Sequence, residues 1–209
     1  MAFSIIHPIR REIDSQYYYI KTMIETYPSF MKDWVSKEEE KNREIAKEYA
    51  NGDDEVFFTT YQNLCYGMDV FDETTNHFYQ AVFLVTYSYY ESWLNRFGKE
   101  VGVKKENVGV KELKKELNFT IDNDIQEMVD YLYQIVRPFR NLIAHNNGGT
   151  SKAEQKNALM EVRSKYKDFE EYDLCVRFNG NDFILDVLEM EHKVLLEFCD
   201  KLGYGRFVK

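Results

Sequence analysis

Apolar side chains recur at three- and four-residue spacing along most of this chain, and one short stretch near the C-terminus reads as strand instead. Residues 8–27 are predicted as a helix, with Pro8 in its first turn and Pro28 beyond its end. Its packing stripe is Ile13, the run Tyr17-Tyr18-Tyr19, Ile20, Met23 and Ile24, with the tyrosines read as core and rim. A second helix is expected over 29–50, with a solvated charged face around Lys37–Glu44 and a stop at Asn51-Gly52. Asp53-Asp54 can cap an aromatic-rich segment that runs to Tyr66. The longest helix is expected over 73–99, where Phe78, Val82, Val85, Tyr89, Trp93 and Phe97 form a wide apolar stripe and Gly98 and Gly102 end it.

A connector over 103–120 carries a short amphipathic helix marked by Val110, Leu113 and Leu117. Asp122 or Asn123 then caps a helix that continues through Met128, Leu132 and Ile135 into Arg137–His145 and stops at Asn146–Gly149. Thr150–Lys167 reads as a polar, sparsely apolar helix, the pattern of a mobile flap. Asp173–Phe178, the turn Asn179-Gly180-Asn181 and Asp182–Leu185 predict a β-hairpin, because Asn-Gly suits a two-residue turn. A last helix is expected over Asp186–Lys201. The fold class is therefore mostly all-α: a helical bundle with a small C-terminal hairpin.

Length and composition fit one domain over 1–209, with N-terminal helices over 1–70, a core over 71–149 and a C-terminal part over 150–209. The sequence contains no apolar run of membrane-spanning length and no secretory leader pattern. Cys65, Cys175 and Cys199 are odd in number and widely spaced, which points to a reducing cytoplasmic setting and not to a disulfide frame or zinc site. The net charge of −9 argues against a broad nucleic-acid-gripping surface. That charge is uneven: residues 1–100 sum to −7, 101–170 to +1 and 171–209 to −3. Lys104, Lys105, Lys111, Lys114 and Lys115 fall in the central third, as either a local basic pocket or a solvated mixed face.

Within that third, Arg137-Pro-Phe-Arg-Asn-Leu-Ile-Ala-His145 stands apart. On a continuous helix Arg137, Asn141 and His145 share one stripe, Arg140 and Ala144 lie beside it, and Phe139, Leu142 and Ile143 face the core. Two guanidiniums, an amide and an imidazole on one polar face suit a phosphate. If Pro138 instead opens a new helix, Arg137 becomes a capping residue, while Arg140, Asn141 and His145 keep their relation. Tyr87, Glu91 and Asn95 recur four apart off the stripe of the long helix, either as an outward polar face or with Glu91 turned toward the motif.

Arg140-Asn141-x-x-x-His145, with a small residue before the histidine, resembles the signature of the HEPN superfamily. The resemblance covers about residues 75–150. It implies an antiparallel helical bundle of the HEPN type and a metal-independent endoribonuclease that needs no cofactor. In that reading Arg140 binds the phosphate, His145 acts as base or acid, Asn141 orients one of them, and Glu91 and Arg137 support them. One chain supplies one such histidine, so the family's usual solution, a homodimer with the motifs facing, is expected. The resemblance also implies an RNA substrate, a role as toxin or antiviral-defence effector, and an inhibitory antitoxin or defence-system partner. Some relatives carry a tyrosine two residues after the histidine, which a partner modifies; here that position is Asn147, so that regulation is not implied. The competing expectations are a non-catalytic dimerisation or nucleotide- or RNA-binding module, and a bundle in which Arg140 and His145 pair with carboxylates such as Glu91. His7, His77 and His192 show no ligand spacing, and no phosphate-cradling glycine loop or serine elbow is present.

Overall fold

The computed structural model describes residues 4–66, 70–146, 152–169 and 176–208. Among these, eight α-helices follow one another: α1 Pro8–Ala50, α2 Asp54–Cys65, α3 Val70–Val101, α4 Val110–Leu117, α5 Asn123–Tyr131, α6 Arg137–Asn146, α7 Ala153–Lys165 and α8 Asp182–Lys201. Strands β1 (Ser4–Ile6) and β2 (Arg206–Val208) pair antiparallel, so the two ends of the described chain meet. The molecule is predominantly helical, as the periodicity requires. No helix among the described residues is long and apolar enough to cross a membrane.

Helix α3 is the central element and packs against α1, α4, α6 and α8. It buries side chains on several sides: Tyr79, Val82, Phe83, Tyr87, Tyr90, Trp93, Leu94 and Phe97 are all inside. The single stripe expected from sequence is too narrow a description, and Val85, assigned to it, is 48% exposed. In α1, Tyr17 is buried and Tyr18 and Tyr19 project outward, the core and rim expected of them.

Pro28 does not separate two helices. It lies inside α1, which at 43 residues is longer than α3. A proline cannot donate to the carbonyl four residues back, here that of Ile24. The Asn181 side-chain amide donates to that carbonyl at 3.1 Å and satisfies the acceptor that Pro28 leaves open. Helix α2 packs back on α1 and buries none of its residues. It is capped as expected, with the Asp53 carboxylate accepting from the backbone N–H groups of Glu55 and Val56 at 3.0 and 3.1 Å.

The expected hairpin is overturned in its second half. Residues 182–185 open α8, where consecutive Phe183 and Ile184 are both fully buried; a half-buried strand would send them to opposite faces. The Asp168 carboxylate accepts from the Phe183 N–H at 2.6 Å and fixes this helix start. Phe178 makes one antiparallel bridge, with Phe169, and residues 173–175 lie outside the described residues. Helix α7 is no flap: Ala158, Leu159 and Val162 are buried, and it packs against α6. Gly98 does not end α3 but sits within it, where an added methyl would meet Val108 at 2.5 Å. Gly102, at φ +85°, follows the last helical residue.

Candidate active site

The segment from Asn123 to Asn146 runs on without a break, but it changes register on the way. Residues 132–136 form a π turn, in which the Arg137 N–H reaches back to the Leu132 carbonyl. Pro138 follows directly. Its ring would crowd the carbonyl four residues back in a regular α-helix, and a widened turn relieves that crowding. The chain therefore passes through Pro138, and Arg137 belongs to α6 and is no cap outside it.

Helix α6 is oriented by its apolar face. Phe139 is completely buried and packs edge-on against Phe83 and Phe183, with ring centroids 5.5 and 5.1 Å apart. Leu142 and Ile143 are buried beside it. This anchoring turns the opposite face toward α3 and toward solvent.

On that face Arg140 is held from three directions. Its Nη2 lies 3.7 Å from Glu91 Oε2, its Nη1 donates to Asn141 Oδ1 at 3.2 Å, and its guanidinium sits 5.7 Å from the Tyr87 ring centroid. Its Nε is buried with no hydrogen-bond partner among the described residues. A quarter of the side chain stays exposed, so the guanidinium is positioned yet reachable. Glu91 thus faces the motif helix; the alternative of a wholly outward polar stripe is wrong for Tyr87 as well, which is 5% exposed. Asn95, the third member, serves the connector: its Oδ1 accepts from the Val108 N–H at 2.8 Å.

His145 lies in the last turn of α6 and is exposed, with no hydrogen bond or ion pair to another described residue. Five residues separate it from Arg140, which on a helix is about 140° of rotation and about 7.5 Å of rise. A single chain therefore brings Glu91, Arg140 and Asn141 together but leaves the imidazole facing outward. Arg137 is exposed one turn earlier and stacks at 5.2 Å over the Tyr133 ring.

Sequence reasoning missed Glu191. Its carboxyl is fully buried on α8, and neither oxygen has a hydrogen-bond partner among the described residues. Burial, and then the nearby Glu91 charge, pushes it well above the usual carboxylate range. Glu91 and Glu191 in turn add to the burial that raises the Tyr87 hydroxyl, while Arg137 and Arg140 oppose them. The signal was present: Glu191 interrupts the oily face formed by Val187, Val194, Leu195 and Phe198.

Arg140 can thus offer fixed donors to a phosphate oxygen, and His145 can exchange a proton with whatever lies outside the last turn. No group of three His, Cys, Asp or Glu side chains among the described residues could hold a metal ion. No family model, curated protein or solved structure matches the chain.

Proposed function

We propose that this protein is a HEPN-type endoribonuclease that cleaves RNA without a metal, as a homodimer whose two motif faces share one site. The observation that carries this reading is the division of labour on α6: Arg140 is gripped by Glu91 and Asn141, while His145 stands open to solvent one turn further on. A guanidinium clamped by neighbours is pre-organised for charge that builds on a phosphate. An exposed imidazole can take the proton of a ribose 2′-hydroxyl as it attacks the adjacent phosphodiester. The products are a 2′,3′-cyclic phosphate and a free 5′-hydroxyl. The reaction wants both a base and an acid, and a second copy of His145 from a facing chain supplies the other. Such an activity suits a toxin or antiviral-defence effector restrained by a partner protein.

The test is incubation of the purified protein with total RNA in excess EDTA, beside His145→Ala and Arg140→Ala. The unmodified protein should yield cyclic-phosphate ends, and each variant should cleave about a hundredfold more slowly or worse. An inactive unmodified protein, folded and dimeric, would sink the nuclease and leave a scaffold. Full cleavage by His145→Ala would place the chemistry elsewhere.

A further inference from the structure

Beside the motif lies a cleft of about 780 Å³, floored by α3 and walled by the connector, α4 and the helix leading into α6. That volume is in the range that holds a small organic ligand. Tyr87 and Glu91, which grip Arg140 from below, also line this cleft, and Arg137 stands on its rim. The cleft and the motif are therefore two ends of one surface.

Its charge runs against that of the chain. Lys105, Lys111, Lys114 and Arg137 line it against Glu91, Glu112 and Asp130. Several of these are already committed. Lys105 pairs with Glu112 at 2.6 Å, which holds that carboxylate below its usual range, and Glu91 is taken up by Arg140. Lys114 donates to the neutral amide of Gln126 at 2.6 Å and keeps its charge uncompensated there. Lys111 is exposed with no partner among the described residues. What remains facing the cleft is Lys111, Lys114 and Arg137 against Asp130 alone, an electropositive island in a chain of net charge −9. Tyr87 and Tyr90 are buried in its floor, and one ring, Tyr133, 65% exposed, stands open to it beneath Arg137.

A ligand that answers cations and an exposed ring together is a nucleotide, with phosphate for the lysines and a base for Tyr133. We infer that this cleft seats a nucleotide of the RNA strand next to the one whose phosphate Arg140 binds, and so sets which sequence is cut. The inference rests on the nuclease reading for the strand's path. Arg137 and Arg140 are one helical turn apart, so a strand whose scissile phosphate lies at Arg140 can place a neighbouring phosphate at Arg137 and turn its base into the cleft.

The experiment is binding of a labelled, uncleavable 2′-O-methyl oligoribonucleotide, with a free nucleoside monophosphate as a separate arm. Both are measured on the full chain and on Lys111→Glu and Tyr133→Ala, whose side chains are exposed and whose loss should not unfold it. Lys111→Glu should weaken oligonucleotide binding about tenfold or more. Lys111→Ala should flatten its salt dependence by about 0.7 in log–log slope, one phosphate contact on a single strand. Tyr133→Ala should cost about 5- to 150-fold, the range of one base stack. Affinity unchanged within twofold in both exposed-site variants would overturn the cleft while leaving cleavage by Arg140 and His145 untouched. A monophosphate bound with no oligonucleotide binding would overturn the strand assignment. Cleft-dependent oligonucleotide binding by a chain that never cuts RNA would support the cleft and overturn the nuclease.

Discussion

Glu191 and His192 are consecutive on α8 and both buried, yet they stand in opposite circumstances. His192 turns toward α1 and is fully partnered. Its Nε2 lies 3.2 Å from Asp14 Oδ1, its Nδ1 lies 3.3 Å from the Tyr89 hydroxyl, and the Tyr17 ring stacks on it at 4.0 Å. Nε2–H donates to Asp14, and Nδ1 faces the Tyr89 hydroxyl, which also donates to the Ile13 carbonyl at 3.3 Å. Glu191, about 100° around the same helix, lies within electrostatic reach of Glu91, Tyr87 and Tyr90 on α3, and neither oxygen is met among the described residues. The first group is part of what locks α1, α3 and α8 together. The second costs stability where it stands, and it senses the charge of Glu91, which pairs with Arg140 at the proposed site. Buried groups left unmet are uncommon enough in folded chains to mark places kept for something other than stability.

The largest effect should come from breaking the satisfied group. His192→Leu takes the ring from Asp14 and from the Tyr17 stack, leaves Tyr89 only the Ile13 carbonyl, and should lower unfolding free energy by about 2–4 kcal/mol, read by urea denaturation. A loss below about 0.5 kcal/mol would mean that the network is decoration. The matching change next door should have the opposite sign. Glu191→Leu removes a desolvated carboxyl at similar volume and should stabilise by about 1–3 kcal/mol at pH 7. A destabilised Glu191→Leu would show that the carboxyl has a partner after all.

The two groups also tilt stability oppositely with pH. Burial lowers the His192 pKa below its usual 6.5, ahead of the opposing pull of Asp14 and Glu189. Its contribution is therefore complete above pH 6.5 and is lost as pH falls through the lowered value. The Glu191 pKa is raised from 4.5, so its contribution is complete below pH 4.5 and is lost as pH rises toward the folded value. His192→Leu should remove the acid-side loss and leave the alkaline-side decline, and Glu191→Gln should do the reverse. Unfolding curves from pH 4.5 to 8 check both, and identical profiles in the two variants would end the distinction.

How far such features could be read from sequence depended on how local their causes are. The apolar faces of α4, α6 and α8 followed from spacing alone, and so did the Asp53 cap, because each depends on residues within a turn or two. The grouping of Arg140 and Asn141 was legible for the same reason, and Glu91 was named as a candidate partner, although only the packing of α3 on α6 chose between its two orientations. What failed depended on distant partners. Pro28 reads as a stop unless Asn181, remote in the chain, is known to satisfy the carbonyl it leaves open. Asn179-Gly180 reads as a hairpin turn unless Asp168 is there to start a helix at Asp182. The π turn before Pro138 leaves no trace in hydrophobic spacing, since it is a local answer to a steric conflict.

The smallest expected effect is also the one that joins the two halves of the comparison. Glu91 is nearly half exposed, so its pairing with Arg140 is worth little to stability, and Glu91→Gln should change unfolding free energy by less than about 1 kcal/mol. The same carboxylate is the second cause, after burial, of the raised Glu191 pKa. Removing its charge should bring Glu191 partway back toward the ordinary carboxylate range, and the decline in stability between pH 4.5 and 8 should become shallower. The readout is the difference in unfolding free energy between those two pH values in Glu91→Gln and in the unmodified protein. An unchanged difference would mean that burial alone raises the Glu191 pKa, and that Glu191 does not sense the carboxylate that grips Arg140. A shallower decline, absent in the Glu91→Gln, Glu191→Gln double variant, would establish that the two carboxyls form one electrostatic unit.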